Sequence, residues 1–297
     1  MPLISFLNEQ NICYSLDEPM KNHTSFKIGG KCDCFVLPKT VCQLKSVIDK
    51  VRKLGIPYFV LGKGSNILVS DSGIEGAVIS TADLNGITLN GEEITAFAGE
   101  SVASVCTAAY KNGLSGLEFA FGIPGSIGGG LYMNAGAYGG EFSDTVISAE
   151  YLDKNGEIKT ISVSDMALSY RQSIFKQNGG IILSVTFKLQ KGDKAEIKAK
   201  MDDFLNRRKT KQPLEYGSAG STFKRPEGYF AGALIEKNGL KGYSIGGAKV
   251  CEKHAGFVIN YDNASCDDVK ALISHIQKTV KENDGVDLTP EIIFVGR

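Results

Sequence analysis

Residues 122–140 read GIPGSIGGGLYMNAGAYGG, and eight of these nineteen are glycine: Gly122, Gly125, Gly128, Gly129, Gly130, Gly136, Gly139 and Gly140. The remainder are mostly apolar, with Ser126, Tyr132, Asn134 and Tyr138 as the polar exceptions. A flexible linker would instead be rich in Ser, Lys, Glu or Gln. Glycine is entropically costly to order, so a folded chain concentrates it where backbone must take positive φ or approach something closely. Clustered main-chain N–H groups form concave anion sites, so the stretch points to an anionic cofactor. Tight turns packed on a core are the plainer alternative.

A second glycine loop lies upstream. The apolar run Tyr58-Phe59-Val60-Leu61 enters Gly62-Lys63-Gly64-Ser65-Asn66, and Ile67-Leu68-Val69 leaves it. The loop begins G-x-G but lacks a third glycine, and a strand pattern follows where a dinucleotide fingerprint needs a helix. No G-x-x-x-x-G-K-[ST] occurs either, so a Walker-type phosphate loop is excluded. By itself this loop reads equally as a turn between strands and as a phosphate contact.

The 297 residues carry 33 basic and 33 acidic side chains, a formal net charge of zero. A nucleic-acid binder would show a basic excess or face, so that class loses support and any anion must be met locally. The seven cysteines form no C-x-x-C pair, and the three histidines offer no zinc-like spacing. Reduced thiols are the best reading. No apolar run approaches the ~20 residues needed to span a bilayer, and MPLISFLNEQ lacks a signal-peptide pattern. The expectation is a cytoplasmic protein.

Residues 41–54 have helical spacing of apolar side chains, with Thr40 and Gln43 as a capping box. Asn90-Gly91 marks a hairpin, and a helix is predicted from Ser101 to Asn112-Gly113. Strand patterns follow at 146–151, 157–161 and 181–187, which makes the class α+β rather than repeating βαβ. A helix over 194–208 ends in the basic run Arg207-Arg208-Lys209-Thr210-Lys211, stopped by Pro213. Those cations complement the helix dipole, or else clamp a substrate phosphate. A domain boundary is placed at 192/193, just before this helix. Ser265 and Asp268 cap a helix carrying Val269, Leu272, Ile273, Ile276 and Val280, and Glu291 stands at the mouth of a terminal apolar strand.

Three further segments draw attention: Tyr170-Arg171-Gln172-Ser173-Ile174-Phe175-Lys176, Gly220-Ser221-Thr222-Phe223-Lys224 and Pro290-Glu291-Ile292. From the residues alone, each reads as a surface ion pair, a turn or a solvated carboxylate. No G-x-S-x-G elbow supports a hydrolase.

In their order, however, the motifs NHTSFKIGG (22–30), LGKGSNILV (61–69), residues 113–140, YRQSIFK (170–176), AGSTFK (219–224), GGAKVCEKHAGFVIN (246–260) and PEI (290–292) resemble the UDP-N-acetylenolpyruvoylglucosamine reductases. The resemblance spans almost the whole chain. It implies an FAD-binding module of the vanillyl-alcohol-oxidase-like type in two subdomains, 1–83 and 84–192, then an α+β substrate domain over 193–297. The length is similar to the compact type II members. Non-covalent FAD, NADPH as hydride donor and a UDP-sugar substrate of peptidoglycan precursor synthesis come with the resemblance. Charge and hydropathy lead us to expect no nucleic-acid or membrane partner. The sequence leaves the oligomeric state open, with a monomer as the expectation.

The resemblance also assigns roles. Gly62, Lys63, Gly64, Ser65 and Asn66, with Gly122, Ile123, Pro124, Gly125, Ser126, Gly128, Gly129, Asn134, Gly136 and Ala137, are expected to hold the cofactor. Tyr170, Lys224 and Arg225 are expected at the substrate, Arg225 standing where many relatives have Asn. Adding hydride to the β-carbon of an enolpyruvyl ether places negative charge on the α-carbon and its carboxylate, which calls for a fixed cation and an acid. Arg171, always charged and bidentate, suits the first need. Ser221 is the implied proton donor, and Glu291 the group that stabilises the enolic species or orients its partners. An oxidase or dehydrogenase of another small substrate on the same module is the alternative.

Overall fold

The computed structural model describes residues 2–297. They form two compact units, and each draws on three separate parts of the chain. The first comprises Met1–Ser15, Cys34–Lys63 and Ala77–Arg208; the second comprises Leu16–Asp33, Gly64–Gly76 and Lys209–Arg297.

The first unit has two cores. In one, the helix Val41–Lys53 buries Leu44, Val47, Ile48 and Val51 against Leu3 and Leu7 of the helix Pro2–Glu9. Each such side chain contributes roughly 1.5–3 kcal/mol by leaving water. Thr40 Oγ1 accepts from Gln43 N as expected, but Gln43 Oε1 accepts from Lys39 N at 2.8 Å, one residue earlier than a standard capping box. Strand Tyr58–Leu61 pairs in parallel with residues 77–80 of Ile74–Ser80.

The other core lies on a five-stranded antiparallel sheet ordered Ile158–Ser162, Val146–Leu152, Ile181–Lys188, Glu93–Phe97, Ile87–Asn90. The hairpin falls at Asn90-Gly91 as the sequence predicts, and Gly91 supplies the left-handed residue at φ +62°. Helix Val102–Lys111 packs here through Val102, Val105, Cys106 and Ala109. Helix Lys194–Lys211 does not open a separate domain at 193. Its Ile197 and Met201 enter this same core, so the unit runs on to Arg208.

The second unit is organised on the helix Cys266–Asp284. Ser265 and Asp268 close their capping box, and Gly285 at φ +71° ends the helix. Val269, Leu272, Ile273, Ile276 and Val280 are buried, as their helical spacing requires. A three-stranded antiparallel sheet, Ser244–Ile245, Ala248–Val250 and Val258–Asn260, adds a layer, and Ile293–Val295 pairs in parallel with Ile67–Val69. Phe26, Ile28 and Leu68 belong to this core, so two segments from the first quarter of the chain fold with its last third.

No described helix is long and apolar enough to cross a membrane. Among the described residues no cluster of His, Cys, Asp and Glu could hold a metal ion, and all seven cysteines are free.

Candidate active site

The two glycine loops meet in the first unit. A Cβ on Gly62 would lie 2.6 Å from Ser126 Oγ, so only glycine permits this approach. Ser126 is itself fixed: it is 2 % exposed and caps the short helix Ile127–Tyr132 by accepting from Gly129 N at 3.3 Å. Its neighbours are pinned by Val102 N donating to Gly125 O, Ile127 N to Glu100 O and Gly128 N to Ala98 O. Ile123 N donates to Ala120 O, while Pro124 and Gly129 remain exposed.

The other end of the upstream loop lies in the second unit. Gly64 takes φ +60°, and a Cβ there would fall 2.1 Å from His23 O. Ser25 N donates to Gly64 O, so the expected 22–30 motif is what holds the loop. The main-chain N–H groups of Lys63, Gly64 and Ser65 find no acceptor among the described residues. Unused amides on a loop whose glycines admit no side chain suit an anion's oxygens. The residues therefore fit the phosphates of a dinucleotide cofactor.

Asn134 spends its side chain inside the protein. It is fully buried, its Nδ2 donates to Ser169 O at 3.1 Å, and its Oδ1 accepts from Ser143 N at 2.9 Å. Those bonds occupy the amide, so the side chain shapes the turn that carries Tyr170 and Arg171. That turn is closed by Gln172 N donating to Ser169 O and by Ser169 N donating to Gln172 O. Arg171 sits in it at φ +57°, with its guanidinium 4.9 Å from the Tyr170 ring and Nη2 3.4 Å from Gly136 O. Lys176 Nζ donates to Arg171 O at 2.7 Å and lies 5.5 Å from the Tyr132 ring. Burial pushes the Tyr132 phenol up, keeping it neutral. Ser173 Oγ donates to Tyr132 O at 2.8 Å. Lys176 and Ser173 were not singled out by sequence reasoning, although both lie in the quoted YRQSIFK segment. Gly136 and Ala137 form a short strand paired with Gly140–Glu141.

In the second unit, residues 222–224 lie antiparallel to 289–291. Glu291 N donates to Thr222 O at 2.9 Å, Lys224 N donates to Thr289 O at 2.8 Å, and Phe223 faces Pro290. This pairing sets exposed Ser221 one residue from the partner of Glu291. Asn66, the last residue of the glycine loop, donates from Nδ2 to Glu291 O at 3.2 Å and accepts from Ile293 N at 3.0 Å. Thr222 ties the group together: it is fully buried, its N donates to Gly256 O, and its Oγ1 accepts from Val258 N at 2.8 Å. Nothing in the sequence marked Thr222, since a hydroxyl's partner 36 positions away leaves no local pattern. The Arg225 guanidinium stands 4.1 Å over the Phe230 ring. Arg171 and Tyr170 belong to the first unit, and Ser221, Lys224, Arg225 and Glu291 to the second.

Comparison with known proteins finds two family models along the chain. Residues 32–162 match the family model for an FAD binding domain, and residues 212–295 match the C-terminal domain of UDP-N-acetylenolpyruvoylglucosamine reductase. The chain is 51 % identical over 292 residues to the UDP-N-acetylenolpyruvoylglucosamine reductase of Clostridium perfringens (strain SM101 / Type A), covering 98 % of this chain and 95 % of that one. The crystal structure of UDP-N-acetylenolpyruvylglucosamine reductase from Thermus caldophilus superposes with a TM-score of 0.81 at 33 % identity, over 96 % of this chain and 98 % of that one. BBE-like 1 of Physcomitrella patens matches 64 % of this chain and 45 % of its own with a TM-score of 0.50 at 16 % identity, a likeness of fold alone.

Proposed function

This chain belongs to the UDP-N-acetylenolpyruvoylglucosamine reductase family, and on that premise we propose that it uses NADPH to reduce the enolpyruvyl ether of UDP-N-acetylglucosamine enolpyruvate to UDP-N-acetylmuramate. It is an FAD-dependent oxidoreductase of peptidoglycan precursor synthesis. Flavin, when bound, would supply the redox chemistry that joins NADPH oxidation to reduction of the enolpyruvyl β-carbon. The free amides of Lys63, Gly64 and Ser65, with that of Gly122, hold the cofactor's diphosphate by main-chain donors, which is how a chain of zero net charge retains an anionic ligand.

Arg171 meets the substrate carboxylate with two parallel hydrogen bonds and stabilises the charge that develops on it. Ser221 gives its hydroxyl proton to the α-carbon, and water or a neighbouring acid restores it. Glu291 orients the reacting group beside Ser221, while Tyr170, Lys224 and Arg225 bind the UDP-sugar. The seven free thiols support a reducing, cytoplasmic setting.

One observation carries the reading: Ser221, Glu291 and the end of the glycine loop are stitched together through Thr222 and Asn66. The test is anaerobic and separates the half-reactions. Ser221→Ala is expected to leave flavin reduction by NADPH nearly unchanged and to slow reoxidation by the enolpyruvyl sugar by ~10²–10⁴-fold. Equal slowing of both halves would remove Ser221 from the proton-transfer step.

A further inference from the structure

We infer that Arg208 is a ligand of the bound cofactor, its guanidinium gripping a phosphate oxygen of the FAD diphosphate beside the main chain of Gly122. The inference rests on the reading of residues 122–130 as a cofactor loop.

The cations at the end of helix Lys194–Lys211 are not equivalent. Arg207 is exposed and paired with Asp203 at 2.8 Å, so its charge is already answered. Arg208 is half-buried and turned inward. A Cβ on Gly122 would lie 3.0 Å from Arg208 Cδ and 3.8 Å from its Nη1. One helical turn earlier, Phe204 stacks on Tyr138 with ring centroids 4.8 Å apart and planes 7° from parallel. Leu205 Cδ1 comes 3.9 Å from the same Gly122 position. This helix face therefore lies along both ends of the glycine stretch, and the missing side chain at 122 is what lets the guanidinium lie there.

Arg208 makes no hydrogen bond or ion pair with any described residue, and neither does the main-chain N–H of Gly122. A guanidinium carries five donors, and a partly desolvated cation without a partner is unfavourable. Burial does pull its pKa below the usual arginine value, with Tyr138 opposing. A phosphate answers both unused groups at once, since arginine takes two of its oxygens in parallel and the amide can take a third.

The experiment titrates flavin-stripped protein with FAD and reads binding by fluorescence quenching, beside the melting temperature of each apo variant. Arg208→Gln keeps the stem through Cδ and removes the charge. It is expected to raise the Kd for FAD by about 10–100-fold, the usual size for a lost charged hydrogen bond. Arg208→Lys should recover part of the loss. Arg207→Gln, which removes a neighbouring charge already paired with Asp203, should leave the Kd within about twofold. Arg207→Gln weakening FAD as much as Arg208→Gln would overturn the inference. So would an unchanged Kd for FAD in Arg208→Gln with weaker calorimetric binding of the UDP-sugar to the holoenzyme, which would assign Arg208 to the substrate's diphosphate. Should Arg208→Gln destabilise the apo protein, the Lys variant decides: no recovery of FAD affinity at a wild-type melting temperature also overturns it. A wild-type chain that takes up no FAD would instead refute the reading of the glycine loop.

Discussion

Adding a single methyl group at Gly62 probes the approach of the two glycine loops. The new Cβ falls 2.6 Å from Ser126 Oγ but 3.8 Å from Ser126 Cβ, so the clash is with the hydroxyl alone. Gly62 is not at positive φ, and backbone strain plays no part. Ser126 has little freedom to move, being 2 % exposed and bonded to Gly129 N. Overpacking at such a site costs ~1–3 kcal/mol, and rotating the hydroxyl away forfeits a cap worth roughly 0.5–2 kcal/mol. Gly62→Ala should therefore lose about 2–4 kcal/mol of stability. Ser126→Ala should lose only the cap, ~1 kcal/mol. In the double variant the methyl meets Ser126's former Cβ position at ordinary contact, so the second change should cost under ~0.5 kcal/mol beyond the first. Urea unfolding of the four apo proteins measures the cycle, and a coupling of about 1.5–3 kcal/mol is expected. Additivity within ~0.5 kcal/mol would refute the contact and, with it, the convergence of the loops.

Two further outcomes are expected. The Lys159 ammonium, 2.7 Å from Asp153, and then the Glu157 N–H hold the Asp153 carboxyl down to about 2. The folded value lies below the unfolded one of about 3.9, so this stabilisation is present above about pH 4 and is lost as pH falls towards 2. The melting-temperature gap between wild type and Asp153→Asn should hold from neutral pH to about pH 5 and close in strong acid; a constant gap at every pH would contradict it. Cys13 and Cys42 are exposed and the other five thiols buried, so a disulfide reagent should titrate two thiols rapidly in the native protein and seven after denaturation. Burial, reinforced by the charge of Glu118, pushes the Cys106 thiol up and should make it among the last to react.

Much of the fold was legible because its signals are local. The Ser265 and Asp268 capping box, the apolar spacing from Val269 to Val280 and the Asn90-Gly91 hairpin all depend on residues within a few positions of one another. The glycine loops announced a close approach, and the Gly62 and Ser126 contact is one. The path of the chain was not legible. Phe26, Ile28 and Leu68 lie in short apolar segments that fit either unit, and only long-range packing sends them to the second. The helix Ile127–Tyr132, IGGGLY, has poor intrinsic propensity and owes its existence to the Ser126 cap and the surrounding loops. The side-chain bonds of Asn134 to Ser169 and Ser143 were not legible, because their partners lie 35 and 9 positions away. Ser221 and Glu291 drew their roles from family resemblance, since no local pattern separates a reacting serine from a turn serine.

The turn around Arg171 shows what Asn134 and Lys176 do. A non-glycine residue in left-handed backbone costs about 1–2 kcal/mol, and Arg171 is held there at φ +57°. The cost is met by bonds to the main chain: two close the turn between Ser169 and Gln172, Asn134 adds one to Ser169 O, and Lys176 adds one to Arg171 O. None of these bonds draws on the guanidinium, so the Arg171 Cα is immobilised by main-chain contacts alone. An arginine on a mobile loop would have to order both backbone and side chain on binding, at roughly 1–2 kcal/mol for the backbone of each residue fixed. Here that ordering is done during folding, and the Tyr170 ring under the guanidinium restricts the side chain as well. For the residue proposed to meet a developing negative charge, strain in the main chain is thus exchanged for a cation already in place. Asn134 and Lys176 accordingly fix the shape of the turn that carries Arg171.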